Sequence, residues 1–186
     1  NLAQIPLKSS DRESLTPLIC VGGPCACNPE PITDFVDIVF LGDGEETTNQ
    51  IIDLLIKAKK NGLSKHEFLL KAKDITGIYV PSFYKDSYND DGTLKSLEPL
   101  YDAPKKVKKA VVSDMNSVYY PKEFVVPYIN IVHDRAVEEI FRGCIRGCRF
   151  CQAGFIYRPI REKSVETINM QSKALIESTG YDELSL

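Results

Sequence analysis

The stretch Arg142-Gly143-Cys144-Ile145-Arg146-Gly147-Cys148-Arg149-Phe150-Cys151 brings three cysteines, two glycines and one aromatic together. Thiolates spaced CxxxCxxC suit a single iron–sulfur cubane. The short gaps let a loop curl round the cube, and glycines accept bends that a Cβ forbids. A [4Fe–4S] cube has one iron more than this stretch has thiolates. The iron left over is open to another ligand, and an open position marks a metal that does chemistry rather than one that only holds a fold. Two other readings use the same sulfurs. A structural zinc takes four closed ligands, and no fourth Cys or His lies nearby in sequence, which leaves Cys20, Cys25, Cys27 or His133 as a distant donor. A cluster that only transfers electrons is the other. Disulfide bonding suits a small loop-rich domain in an oxidising compartment, whereas this chain has apolar runs long enough for an ordinary core.

The elements around the cysteines have a recognisable order. Val137-Glu138-Glu139-Ile140-Phe141 reads as a strand feeding the cysteine loop. Ser164 to Thr179 reads as a helix, with Ser164 as N-cap, Val165, Ile168 and Leu175 near one face, and Gly180 where a left-handed C-terminal residue belongs. Leu184-Ser185-Leu186 begins another strand. One strand, one helix and a further strand leave apolar faces bare, so the chain reads as a fragment of a longer protein.

Composition excludes little. The 186 residues, 43% of them hydrophobic, suit one or two small globular domains. A formal charge of −3 gives no global attraction to nucleic acid or to an anionic membrane. No apolar run approaches the length of a membrane span. The reading is of a cytoplasmic α/β protein.

Upstream, Leu2 to Leu7 is too short to assign and Lys8 to Thr16 is polar. Leu18-Ile19-Cys20-Val21 reads as a buried parallel strand that turns at Gly22-Gly23-Pro24, with Cys20 as a small core residue. Cys25 and Cys27 read as inert, and Asn28-Pro29 as the opening of a short helix. Val36 to Leu41 is a second strand. Gly42-Asp43-Gly44-Glu45-Glu46 then leads into a helix to about Lys60, with Ile51, Leu54, Leu55 and Ala58 as its buried stripe. Loops at the carboxyl ends of such strands are where open α/β sheets bind ligands, although Glu45 and Glu46 would repel a phosphate. Ser64-Lys65-His66-Glu67 is a capping box for a helix through about Lys73, with Phe68, Leu69 and Ala72 inward and His66 facing solvent. From Gly77 to Asp134 prolines break helices and β-formers dominate. Phe83 to Tyr88 and Thr93 to Leu97 read as a hairpin, and Val107 to Val112 as a further extended segment. Lys105, Lys106, Lys108 and Lys109 suit a soluble edge strand better than an RNA contact.

Cys144, Cys148, Phe150 and Cys151 match, position by position, the CxxxCxxC pattern of the radical S-adenosylmethionine (SAM) enzymes, which this stretch resembles. The resemblance implies that the three cysteines hold a [4Fe–4S] cluster and that the open iron is chelated by SAM. An electron from a donor such as flavodoxin or ferredoxin then splits the sulfonium to a 5′-deoxyadenosyl radical, with Phe150 near the adenine. The strand that follows the first helix carries the family's SAM-amino motif at its end, beyond Leu186. Gly22-Gly23-Pro24, Asn28-Pro29-Glu30 and Gly42-Asp43-Gly44-Glu45 resemble the last third of the cobalamin-binding-type Rossmann domain that precedes many radical SAM barrels. More narrowly, GGPCACNPEP, GDGEE and EIFRGCIRGCRFCQAG resemble a group of bacterial radical SAM proteins with that arrangement. The expected organisation is a partial cobalamin-binding-like Rossmann domain over residues 1–77, a β-rich linker with a hairpin over 78–134, and the truncated first βα unit of a radical SAM partial TIM barrel over 135–186. Gly22, Gly23, Gly42 and Gly44 are either a cobalamin-like site or simple tight turns. His133 and Asp134 are candidates for a polar contact before the barrel strand, and Arg158 or Arg161 for a carboxylate or phosphate. The expected function is reductive SAM cleavage by the full-length parent, on a substrate the residues do not name. The competing class is a non-catalytic zinc, Fe–S or RNA-binding module.

Overall fold

The run Val36-Asp37-Ile38-Val39-Phe40 sets one acid among apolar side chains. The structure is a computed structural model that describes residues 3–121, 123–129 and 131–186, and it buries this acid together with Val36, Ile38 and Val39. The chain divides into two compact units, Asn1–Val111 and Val112–Leu186.

In the first unit β1 (Cys20–Val21) lies parallel to β2 (Ile38–Phe40), with Cys20 opposite Ile38. Helices α1 (Glu45–Lys60) and α2 (Lys65–Ala72) follow, and β3 (Ile78–Tyr79) runs antiparallel along the other edge of β2. The core joins Ile38, Ile51, Ala58, Phe68, Leu69, Ala72, Ile78, Val80 and Phe83. The stripe on α1 faces it, with Ile51 and Ala58 buried and Leu54 and Leu55 half-buried. The capping box forms: the Ser64 hydroxyl accepts from the Glu67 amide at 3.2 Å, and Glu67 accepts from the Ser64 amide at 2.8 Å. His66 is exposed, its ring edge-on to Phe83 and Tyr101. Cys20, expected in the core, is exposed on the two-residue strand at the edge of the sheet.

Asp37 ties the irregular N-terminal segment to the paired strands and to α2. Its carboxylate accepts from the Arg12 Nη2 at 3.1 Å, Lys65 Nζ at 2.6 Å and the Ile19 amide at 2.7 Å, and also from the Ser9 hydroxyl. Arg12 Nε also donates to Asp37 at 3.3 Å, and the remaining guanidinium hydrogens go to the carbonyls of Pro6, Leu7 and Phe35. The polar stretch Lys8 to Thr16 is thereby fastened to β1, β2 and α2. Burial pushes the Asp37 pKa up, but the Ile19 amide, Lys65 and Ser9 outweigh it and hold the carboxyl below its ordinary value.

At the far end of β2 the expected Val107–Val112 extended segment is reduced to a single parallel bridge between Ala110 and Gly42. Asp43 donates to the Ala110 carbonyl at 3.0 Å, and the Ala110 amide donates to Leu41 at 2.8 Å. Gly42, at φ +98°, permits this contact, since a Cβ there would lie 2.0 Å from the Ala110 oxygen. The hairpin pairs β4 (Tyr84–Tyr88) with β5 (Leu94–Pro99). Phe83, expected at its start, instead ends a 3-10 turn and is buried.

In the second unit the single strand expected over Val137 to Phe141 is two strands. β6 (Ala136–Val137) and β7 (Phe141–Arg142) are followed by the short helix α3 (Ala153–Ile156), β8 (Arg161–Glu162), helix α4 (Val165–Thr179) and β9 (Leu184–Ser185). β6 pairs parallel with β9, and β7 antiparallel with β8. The break falls where Glu138 is buried against Lys163, whose amide donates to Ile140 at 3.0 Å. Helix α4 begins at Ser164, whose hydroxyl accepts from the Thr167 amide at 3.2 Å, and ends at Gly180 with φ +73°. Leu175 is buried, but Val165, expected on the same face, is 67% exposed. The buried place is taken by Gln171, which accepts from Lys163.

Two outcomes follow from these contacts. Because the Asp37 carboxyl is held low, its contribution is complete above the ordinary carboxyl pKa of about 3.9 and is lost as the pH falls below that value. Asp37→Asn should therefore cost about 3–5 kcal/mol at neutral pH and progressively less in acid, measured by denaturant titration at both pH values; an equal cost at both would contradict the ion-pair account. Gly42→Ala should lower the melting temperature more than Gly23→Ala, since Gly23 shares a positive φ of +96° but has nothing within 4 Å. The shared strain is roughly 1–2 kcal/mol, and thermal melts of the two variants isolate the clash.

Candidate metal centre

No Asp or Glu lies between Arg142 and Arg161, and the segment leaves and re-enters the second unit through one antiparallel pair. Phe141 sits opposite Glu162 and Arg142 opposite Arg161, so residues 143–160 form an excursion closed at its base. Gly143 makes the closure: at φ +107° a Cβ would lie 2.8 Å from the Ile160 Cα and 3.0 Å from the Pro159 oxygen. Gly147 also has a positive φ, +62°. Further along, the Cys151 amide donates to the Cys148 carbonyl at 3.1 Å, and α3 starts with Phe155 and Ile156 donating to Gln152. Gly154 is buried where a Cβ would touch the Cys144 carbonyl at 3.5 Å, so the start of α3 folds back over the first cysteine.

Cys144 and Cys151 are half-buried, Cys148 is exposed, and all three are free thiols. The fold brings the backbone of the cysteines onto one surface excursion. Among the described residues no group of three His, Cys, Asp or Glu side chains is gathered as a metal cage. Phe150 is 92% exposed beside them.

The arginines divide by role. Arg142 makes a two-pronged pair with Glu139 at 2.7 and 3.0 Å, which stiffens the base. Arg161, a candidate for binding an anion, is buried and donates to the carbonyls of Pro159 and Val112 at 3.0 Å, so it fastens backbone instead. The Arg158 guanidinium lies 4.7 Å from the centre of the Phe155 ring. Arg146 and Arg149 are exposed.

The sequence reading missed the buried trio beneath the excursion. Lys163 Nζ donates to Glu138 and to Gln171, each at 2.8 Å, and lies 4.7 Å over the Tyr120 ring. A lysine just ahead of a helix cap reads as a surface residue, so nothing local in the sequence announces this one. His133 is exposed, with its carbonyl accepting from the Arg135 amide.

In the first unit the four loop glycines differ. A Cβ on Gly22 would touch Phe40 at 3.4 Å and one on Gly44 would touch Thr48 at 3.4 Å; the approach to Gly42 is filled by Ala110, and Gly23 faces open space. Cys25 and Cys27 are exposed, free thiols on the 3-10 helix Pro24–Cys27.

Residues 1–81 match the family described as radical SAM proteins, N-terminal. An uncharacterized protein of Methanocaldococcus jannaschii is 27% identical over 181 residues, covering 97% of this chain and 33% of the relative. The chain thus spans about a third of the length of the curated relative it matches. No solved structure matches it. The family match covers residues 1–81 and the cysteine pattern at 144–151 lies outside it, so two separate parts of the chain are similar to the radical SAM proteins.

Proposed function

We propose that the full-length protein is a radical SAM enzyme whose [4Fe–4S] cluster is held by Cys144, Cys148 and Cys151. The observation that carries this reading is the excursion itself: three free thiols, Cys148 exposed and Cys144 and Cys151 partly buried, on a glycine-jointed segment whose two ends are fixed. Soft thiolates without oxygen donors suit an iron–sulfur cluster, and the absence of any Asp or Glu between 142 and 161 keeps hard ligands away. When bound, the cluster would supply the electron that cleaves SAM reductively to a 5′-deoxyadenosyl radical. The chain's own part is positional. Gly143 and the β7–β8 pair hold the ends of the excursion, Gly154 lets α3 close over Cys144, and Phe150 offers a free ring for the adenine.

The finer fold reading belongs to the same proposal. The parallel pair β6–β9 joined through α4 has the form of a first barrel unit, and the parallel β1–β2 pair that of the end of a Rossmann-like sheet. A corrin in the first unit has less support, because Ala110 fills the approach at Gly42. A flavodoxin- or ferredoxin-like electron donor and a cytoplasmic setting go with the chemistry. No helix is long and apolar enough to cross a membrane among the described residues.

Anaerobic reconstitution of the full-length protein with iron and sulfide tests the reading. About four irons per chain and 5′-deoxyadenosine formed from SAM and dithionite are expected, with iron falling well below one cluster per chain in each of Cys144→Ala, Cys148→Ala and Cys151→Ala. Tight zinc at one equivalent with no deoxyadenosine would overturn the reading in favour of a structural metal module.

A further inference from the structure

Arginine is concentrated on the excursion and its base, at 142, 146, 149, 158 and 161, in a chain whose formal charge is −3. Arg142 is engaged by Glu139 and Arg161 by backbone carbonyls. Arg146 and Arg149 are exposed, and among the described residues neither has a carboxylate partner; Arg158 is exposed and stacked on Phe155. Apolar side chains alternate with them: Ile145 is 82% and Phe155 64% exposed. Phe155 has the Arg158 guanidinium 4.7 Å from its ring centre and stays 64% exposed, although the first residues of α3 pack tightly enough to bury Gly154.

We infer that this face binds a single-stranded nucleic acid. Three available guanidiniums meet phosphates with a planar fork, and the exposed Phe155 ring, already paired with Arg158, gives an unpaired base a stacking surface. An acidic protein surface would match the arginines but offers no flat aromatic plane for the ring. A duplex offers phosphates while keeping its bases inside its own stack. The strand would lie on the segment that carries Cys144, Cys148 and Cys151, so a nucleotide becomes the substrate class of the proposed enzyme. That last step rests on the metal-centre reading; the binding does not.

The test is fluorescence anisotropy with the full chain and no cluster, against labelled RNA and DNA single strands of roughly 12 nucleotides. The matching duplex and polyglutamate serve as competitors. Binding of either single strand supports the inference, and the tighter of the two identifies the sugar. The expected slope of log affinity against log salt is about −2 for three neutralised phosphates, and Arg149→Ala should reduce its size by about 0.7. Phe155→Ala should weaken binding roughly tenfold and leave the slope unchanged. No binding, an unchanged Kd for Phe155→Ala, or equal competition by polyglutamate would overturn it, the last in favour of an acidic protein partner. Circular dichroism of both variants confirms that they stay folded. Iron content and deoxyadenosine yield are untouched by this experiment, so either proposal can fail alone.

Discussion

The contact on which the cysteine excursion depends is the buried pair between Lys163 and Glu138, 2.8 Å apart with side chains 2% and 0% exposed. Glu138 stands just before the excursion and Lys163 just after it. Two charges removed from water carry a desolvation cost that their attraction alone often fails to offset. Here Gln171 accepts a second hydrogen of the ammonium, and the face of Tyr120 lies against it. Removing either charge would strand the other in the interior, so the pair specifies one arrangement. β6, the return strand β8 and the first half of α4 are held in a single register.

The first unit meets the same difficulty with Asp37. The strands of its three-stranded sheet are two or three residues long, well short of an ordinary strand, and their ladders contribute few hydrogen bonds. A buried carboxylate that takes donors from Arg12, Lys65, Ser9 and Ile19 does what a longer ladder would otherwise do. Both units therefore join short strands to irregular segments through one buried acid each. Hydrophobic burial, about 1.5–3 kcal/mol for each large side chain, drives collapse, while these polar contacts select which loops end up together.

The helices were legible because their signals are local. The Ser64–Glu67 box, the Ser164 cap, the Gly180 stop and the stripe on α1 each lie within a few residues of what they control. The partners of buried charges were not legible. Arg12 and Asp37 are far apart in sequence, as are Glu138 and Lys163, and each reads as an ordinary surface charge. The same blindness explains Val165 and Arg161. Gln171 takes a buried place on α4 because Lys163 needs an acceptor, and Arg161 is buried because Pro159 and Val112 present carbonyls to it. Gly42 was legible as a turn, but the Ala110 backbone that requires it lies in another segment. For the metal centre, spacing was enough to nominate three cysteines. Their placement on a pinned excursion rather than in a packed interior is what the fold adds.

The central claim is that these three cysteines hold a cubane with one iron left to exchangeable ligand. Mössbauer spectroscopy of the full-length protein loaded with iron-57, before and after SAM is added, tests it most directly. The account predicts that one iron in about four changes its isomer shift on addition of SAM while the others stay as they were. Irons that all remain equivalent, or a protein that takes up no cluster, would contradict it.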